Sequence, residues 1–210
     1  GINFPKFNAL NGERYMSQLV ALNEKLGEVI YGMPILEDRE IAFLETRQDQ
    51  LLRVKEILDR HKELILNVRV GGTDFSSCFG VRRGVNYTIY DIMPVRDCLS
   101  DILNVFSRNN DYTVSGPVWE YFRASKEMKF NPELPSFSLQ DTLLKRSPVV
   151  NDVVDGLMRE LVLDQANGFM GKTCIHPTHL NYINGMLAVT KEEFEDADQG
   201  KQGHERNRSS

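Results

Sequence analysis

Two acidic residues stand where chemistry is expected. Glu37 closes the run VIYGMPILE, and Asp74 follows LILNVRVGGT by one position. Each comes just past an apolar, β-branched stretch, so each is expected at the C-terminal end of a buried strand. In parallel α/β sheets, ligands bind beyond that end of the strands. Two carboxylates at one rim, with open positions between them, suit Mg2+, which takes oxygen ligands, keeps several waters and draws the rest from substrate; Mn2+ is the alternative ion. Such an ion polarises a carbonyl and stabilises an enolate. A plainer role competes for each residue. Gly71-Gly72-Thr73-Asp74 also reads as a polar turn in which Asp74 caps the next segment. Glu37 and Asp38 both precede a helical stretch and favour its positive end. Capping accounts for one acidic residue there and leaves the other free.

Other side chains with chemical potential lie at neighbouring strand exits. The loop Ser77 to Asn86 carries Arg82 and Arg83. Adjacent guanidiniums offer planar forks to an anionic substrate, while solvated surface charge competes as the explanation for at least one. Pro117, at the exit of the fourth strand, joins them as a candidate substrate-binding residue. Lys6 and Lys172 sit near strand ends, and a Schiff-base aldolase would need one such lysine desolvated. Cys174 and His176 are too few for a structural zinc site, and His176 reads as a packed histidine ahead of a catalytic one. Cys78 has no evident activating partner. The general base is not assignable from the residues.

The elements that must position these groups alternate along the chain. Expected strands are Ile2 to Phe7, Val29 to Leu36, Leu64 to Gly71, Tyr112 to Pro117 and Gly171 to Pro177. Expected helices are Glu13 to Leu26, Glu40 to Arg60, Val95 to Arg108, Val149 to Ala166 and His179 to Val189, placed by apolar periodicity, with Gly27 and Pro94 as end signals. Tyr87 to Asp91 reads equally as a short strand or a helix approach. Trp119 reads as core. Asn131 to Ser147 is proline-bearing and irregular, as in an insertion or long loop. A βα repeat of five units makes an open parallel sheet or the larger part of an eight-stranded barrel. A barrel needs about 250 residues, so the length of 210 by itself favours the open sheet.

Bulk properties bound the class. Hydrophobic residues are 41% and charged residues 26%, which fits a packed domain rather than a disordered chain. No apolar run approaches the roughly 20 residues of a membrane span. A net charge of −5 without a basic block argues against nucleic acid or an anionic membrane as the main partner. Three cysteines without a CxxC pair point to a reduced, cytoplasmic setting.

Five short motifs in this order resemble one family. They are FPKF at Phe4 to Phe7, MPILE at Met33 to Glu37, GGTDF at Gly71 to Phe75, SGPV at Ser115 to Val118 and GFMGKTCIHPTHL at Gly168 to Leu180. The chain resembles the carbon–carbon bond lyases of the citrate lyase beta subunit and HpcH/HpaI aldolase superfamily. It looks closest to a divergent bacterial branch found beside tellurite or stress-resistance genes. The resemblance implies an α/β TIM (β/α)8 barrel that forms homo-oligomers. It also implies an Mg2+ ion held by Glu37 and Asp74, and a small oxo or hydroxy acid, or its thioester, cleaved or formed through an enolate. On this resemblance residues 1–190 are the C-terminal portion of the barrel, covering about strands four to eight. The strand bearing the family's substrate-binding arginine would then lie before Gly1. Residues 191–210 are expected to be a polar, disordered tail. Tyr87 to Asp97 and Asn131 to Pro148 differ from the commoner members. The competing expectation is a non-catalytic, barrel-derived binding or assembly module in a bacterial stress response.

Overall fold

The structure is a computed structural model, and it describes residues 1–122, 152–189 and 194. The expected irregular segment Asn131 to Ser147 and, apart from Phe194, the tail expected over 191–210 lie outside the described residues, as does the start of the helix expected from Val149.

Five strands form one parallel sheet: β1 (Ile2–Phe4), β2 (Gly32–Leu36), β3 (Val68–Val70), β4 (Val114–Gly116) and β5 (Gly171–Lys172). Their spatial order is their order in sequence, β1-β2-β3-β4-β5. A doubly wound sheet reverses its order at a switch point. An unreversed run is what the wall of a barrel has, and the length-based preference for an open parallel sheet gains nothing from it.

Helices follow the strands: α1 (Gly12–Leu26), α2 (Arg39–Ala42), α3 (Leu44–Asp59), α4 (Gly72–Cys78), α5 (Met93–Phe106), α6 (Asp152–Asn167) and α7 (Leu180–Met186). Tyr87 to Asp91 resolves into a 3-10 turn over Ile89–Asp91, closed by a reciprocal cap between Thr88 and Asp91. The main core lies between sheet and helices. Phe4, Leu36, Val68, Val70 and Val114 supply its sheet side, against Met16, Leu51, Val54, Leu99 and Ile102. Trp119 is buried with Leu157, Leu161 and Ile183, as core. Because successive strand residues face opposite ways, Asn3, Met33, Ile35, Arg69 and Ser115 point to the other, inner side.

Two expectations need correction. The helix expected over Glu40 to Arg60 is two helices, broken at Phe43, whose backbone is extended (φ −87°, ψ 136°). The break frees carbonyls that a buried arginine takes up. Arg47 Nε donates to Ile41 O at 3.0 Å and its Nη2 to Ala42 O at 2.7 Å. The kink also turns Phe43 edge-on to Phe79, with ring centroids 6.1 Å apart. The polar turn expected on one reading of Gly71 to Asp74 is instead the start of α4, so Asp74 stands in the first turn of a helix, and the loop expected from Ser77 begins only after Cys78.

Candidate functional site

The C-terminal ends of β1, β2 and β3 bring three charged side chains together. Phe4-Pro5 leads to Lys6, which sits in the left-handed region at φ 51°. That turn aims its backbone N–H at Glu37, donating to Oε1 at 3.0 Å. The Lys6 ammonium forms an ion pair with Asp74 Oδ1. Side-chain hydrogen bonds hold the turn: Asn11 Nδ2 donates to Lys6 O at 2.8 Å and the Tyr15 hydroxyl to Pro5 O at 3.2 Å.

The two acidic residues after β2 divide their work. Asp38 is the cap, accepting from Glu40 N at 3.0 Å and from Asn8 Nδ2 at 2.8 Å. Glu37 is left for the rim. Its side chain crosses the α-carbon of Gly71, where a Cβ would come within 2.6 Å of Oε2. A cleft of about 460 Å³ opens there, lined by Lys6, Glu37, Asp38, Arg39, Asp74 and Cys78, with Ser77 beside them.

Electrostatics mark Glu37 and Lys6. Burial raises the Glu37 carboxyl above its ordinary value, and the nearby Asp74 raises it further, against the pull of the Lys6 N–H and ammonium. Burial pulls Lys6 down, but hydrogen bonding and charge from Asp74, with Glu37 and Asp38 behind, outweigh it and its net shift is upward. Among the described residues no group of three or more His, Cys, Asp or Glu side chains could hold a metal. With Asp38 engaged in its cap, the acidic donors left in the cleft lining among the described residues are Glu37 and Asp74.

The other residues singled out in the sequence fall elsewhere. Pro117 is buried against Gly72, at the foot of α4. Arg82 is exposed on the loop beyond Cys78. Arg83 turns inward: it is ion-paired with Glu160 and Glu120, donates to Val118 O at 2.9 Å and lies 4.7 Å over the Trp119 ring. Its Nη donors are engaged inside the fold rather than in the cleft.

Lys172 is no Schiff-base candidate in this arrangement. It lies on the helix side of β5 with its side chain wholly buried, 2.6 Å from Glu160 Oε1 and 2.8 Å from Asp164 Oδ2. Burial lowers its basicity, but the two carboxylates outweigh burial and hold it protonated. Gly116 makes room for this pair, since a Cβ there would meet Asp164 Oδ2 at 2.7 Å. Tyr90 donates its hydroxyl to Asp164 Oδ1 at 2.6 Å. Burial, and then Glu160 against the pull of Lys172, pushes Asp164 up to about 6. Sequence reasoning missed this cluster, although a signal was present: Glu160 and Asp164 are four residues apart inside the apolar stripe of α6.

His176 is packed, as expected. Its ring stacks on Phe122 at 4.2 Å and its Nδ1 lies 2.8 Å from Thr178 Oγ1. Cys98 is buried, with its thiol pushed up to about 11 by burial, and Cys174 donates to His176 O. Cys78 stands half-exposed in the cleft wall.

No helix among the described residues is long and apolar enough to cross a membrane. No curated protein matches the chain. The family model described as carbon–carbon bond lyases of the TIM-barrel fold matches residues 1–207. With five parallel strands in unreversed order and an acidic pair at their C-terminal rim, the chain belongs to that TIM-barrel C–C bond lyase family, broadly consistent with the HpcH/HpaI-like lyases.

Proposed function

We propose that this chain carries the metal-holding rim of an Mg2+-dependent carbon–carbon lyase or aldolase acting on a small oxo or hydroxy acid, free or as a thioester. The observation that carries the proposal is the convergence of Glu37 and Asp74 beside an open cleft, with Glu37 destabilised as an anion by burial and by its neighbour. The donor set fits the ion. Both donors are carboxylate oxygens, and a hard divalent cation relieves the repulsion between them while leaving positions for water and substrate. Mn2+ suits the same donors. When bound, such an ion supplies Lewis-acid polarisation of the substrate carbonyl and stabilisation of the enolate oxygen.

The chain's own residues set up the rest. Lys6 holds Glu37 through its backbone N–H and balances Asp74 through Nζ. Its side chain is 55% exposed, and an ion pair that open contributes about 0–1 kcal/mol, so another cation displaces it at little cost. Pro117, packed on Gly72, is assigned to the substrate wall. Exposed Arg82 is assigned to the approach of an anionic substrate, and Arg83 to bracing the wall from inside. We assign the five units to strands four to eight of the barrel, which the unreversed strand order supports. The order of the five motifs supports the tellurite- and stress-associated branch, in which a cytoplasmic homo-oligomer is expected.

The test is calorimetric titration of the wild type and Asp74→Ala with Mg2+ and Mn2+. The wild type is expected to bind one ion, and the variant to bind it at least about tenfold more weakly. A folded wild type that binds neither ion overturns the proposal.

A further inference from the structure

On the inner side of the sheet, Asn3, Arg69 and Ser115 stand beside Met33 and Ile35, where a barrel interior is ordinarily filled by bulky branched side chains. Arg69 of β3 projects there, opposite Val68 and Val70, which face the core. It has Ile35 on one side and Ser115 on the other in the register of the sheet. Its guanidinium reaches Asn3 on β1 and donates to Thr173 Oγ1, just past β5, at 3.2 Å. One side chain thus spans from the first strand to the last, and both partners are neutral oxygens. Among the described residues Arg69 has no carboxylate at ion-pair distance. The nearest charge acting on it is Glu37, whose field partly offsets the effect of burial on the guanidinium.

The relation to the rim follows from the register. Leu36 pairs with Val70, so Glu37 comes level with Gly71 and lies over it on the inner side. Arg69 is two residues below Gly71 on the same side. Two strand residues span about 6.6 Å. A guanidinium fixed one pleat beneath the Glu37 carboxylate, itself without a carboxylate at ion-pair distance, is arranged for one that arrives with the ligand. Arginine's planar fork matches a carboxylate through two parallel hydrogen bonds.

We infer that Arg69 is a specificity-determining residue that binds a second carboxylate of the substrate, so that the site takes short dicarboxylic oxo or hydroxy acids in preference to their monocarboxylic counterparts. The inference rests on the placement of the substrate at the Glu37–Asp74 rim proposed above. One carboxylate lies toward the rim, and the other reaches inward to the Arg69 Nη atoms. Asn3 and Thr173 hold the guanidinium flat for it.

Binding of malate and of lactate to the wild type and to Arg69→Gln, measured by calorimetry with and without Mg2+, tests this. These stable hydroxy acids differ by the second carboxylate. The wild type is expected to bind malate at least about tenfold more tightly than lactate, and Arg69→Gln to bind the two alike. A purely structural Arg69 would not move that ratio. Arginine modification of the wild type by phenylglyoxal supplies a measurement independent of variant folding. Malate is expected to protect Arg69 from the reagent and lactate to leave it reactive. A wild type without the preference, a variant that keeps it, or equal protection by both acids overturns the inference. Mg2+ titration in the same samples reads the rim separately. Loss of metal binding with the malate preference intact defeats the metal proposal alone, and the reverse defeats Arg69 alone.

Discussion

Glu37 lies across Gly71, and the absence of a side chain at Gly71 is what allows it. A Cβ at residue 71 would overlap the Glu37 stem and sit within 2.6 Å of its carboxylate. Gly71 has φ −101°, so the demand is for space and not for a left-handed backbone. Gly71→Ala therefore displaces the Glu37 carboxylate from its place over the inner side of the sheet. We expect a stability loss of about 1–3 kcal/mol in urea unfolding, as for overpacking generally. Mg2+ affinity measured by calorimetry is expected to fall at least about tenfold. Unchanged affinity would show that Glu37 is not a ligand.

Glu37 also sets a pH dependence. Its carboxyl is raised in the folded protein, by burial and then by Asp74, so the folded state holds its proton to higher pH than the unfolded state. Stability contributed by this group is present at low pH and declines as pH rises from the ordinary carboxyl value to the raised one. Glu37→Gln removes the titration. The variant is expected to be more stable than the wild type at pH 7 without metal, with the advantage shrinking at acid pH. Urea midpoints across the pH range check it, and a midpoint difference that stays constant with pH would contradict it.

Lys172 is expected to matter for folding rather than for chemistry. It stands between Glu160 and Asp164 with no exposed side-chain surface. Removing one member of a buried pair leaves an uncompensated charge and costs about 3–5 kcal/mol. Lys172→Met is expected to lose that much in chemical denaturation. Borohydride treatment of the wild type with pyruvate is expected to trap no adduct on Lys172, and a trapped adduct at that residue would reverse the assignment.

The break between α2 and α3 makes a further contrast. Arg47 takes the two carbonyls freed near Phe43 from a buried position, whereas its carboxylate partner Asp101 is 49% exposed. Arg47→Met is expected to cost about 2–4 kcal/mol, as lost hydrogen bonds to buried carbonyls do. Asp101→Asn is expected to cost less than about 1 kcal/mol. Paired thermal and urea unfolding of the two variants separates them, and equal losses would place the main interaction in the ion pair instead.

Much of the architecture was legible in the residues because it repeats. Five apolar, β-branched runs followed by amphipathic stretches specify alternating strands and helices by period alone, and the structure has them in that order. The shift from strand to polar exit also marked Glu37 and Asp74 as neighbours at one rim, and the cleft contains both. The break at Phe43 was not legible, because its satisfying donor, Arg47, lies four residues further on in an otherwise regular helical pattern. Nor was the inward turn of Arg83, since the carboxylates that hold it are Glu120 and Glu160, 37 and 77 residues away.

By itself the sequence determined which residues end strands, which faces are apolar and which motifs recur in family order. Those properties depend on near neighbours and on the two backbone periods. Only the tertiary structure decided that Asp38 is the cap and Glu37 the rim carboxylate, that Lys6 bridges to Asp74, and that Lys172 is walled in. It also placed Arg69 beneath Glu37, reaching from Asn3 on β1 to Thr173 just past β5. Each of these depends on what arrives from a distant strand or helix. The register of parallel strands sets that, because it fixes which side chains share a face and how far apart their charges lie.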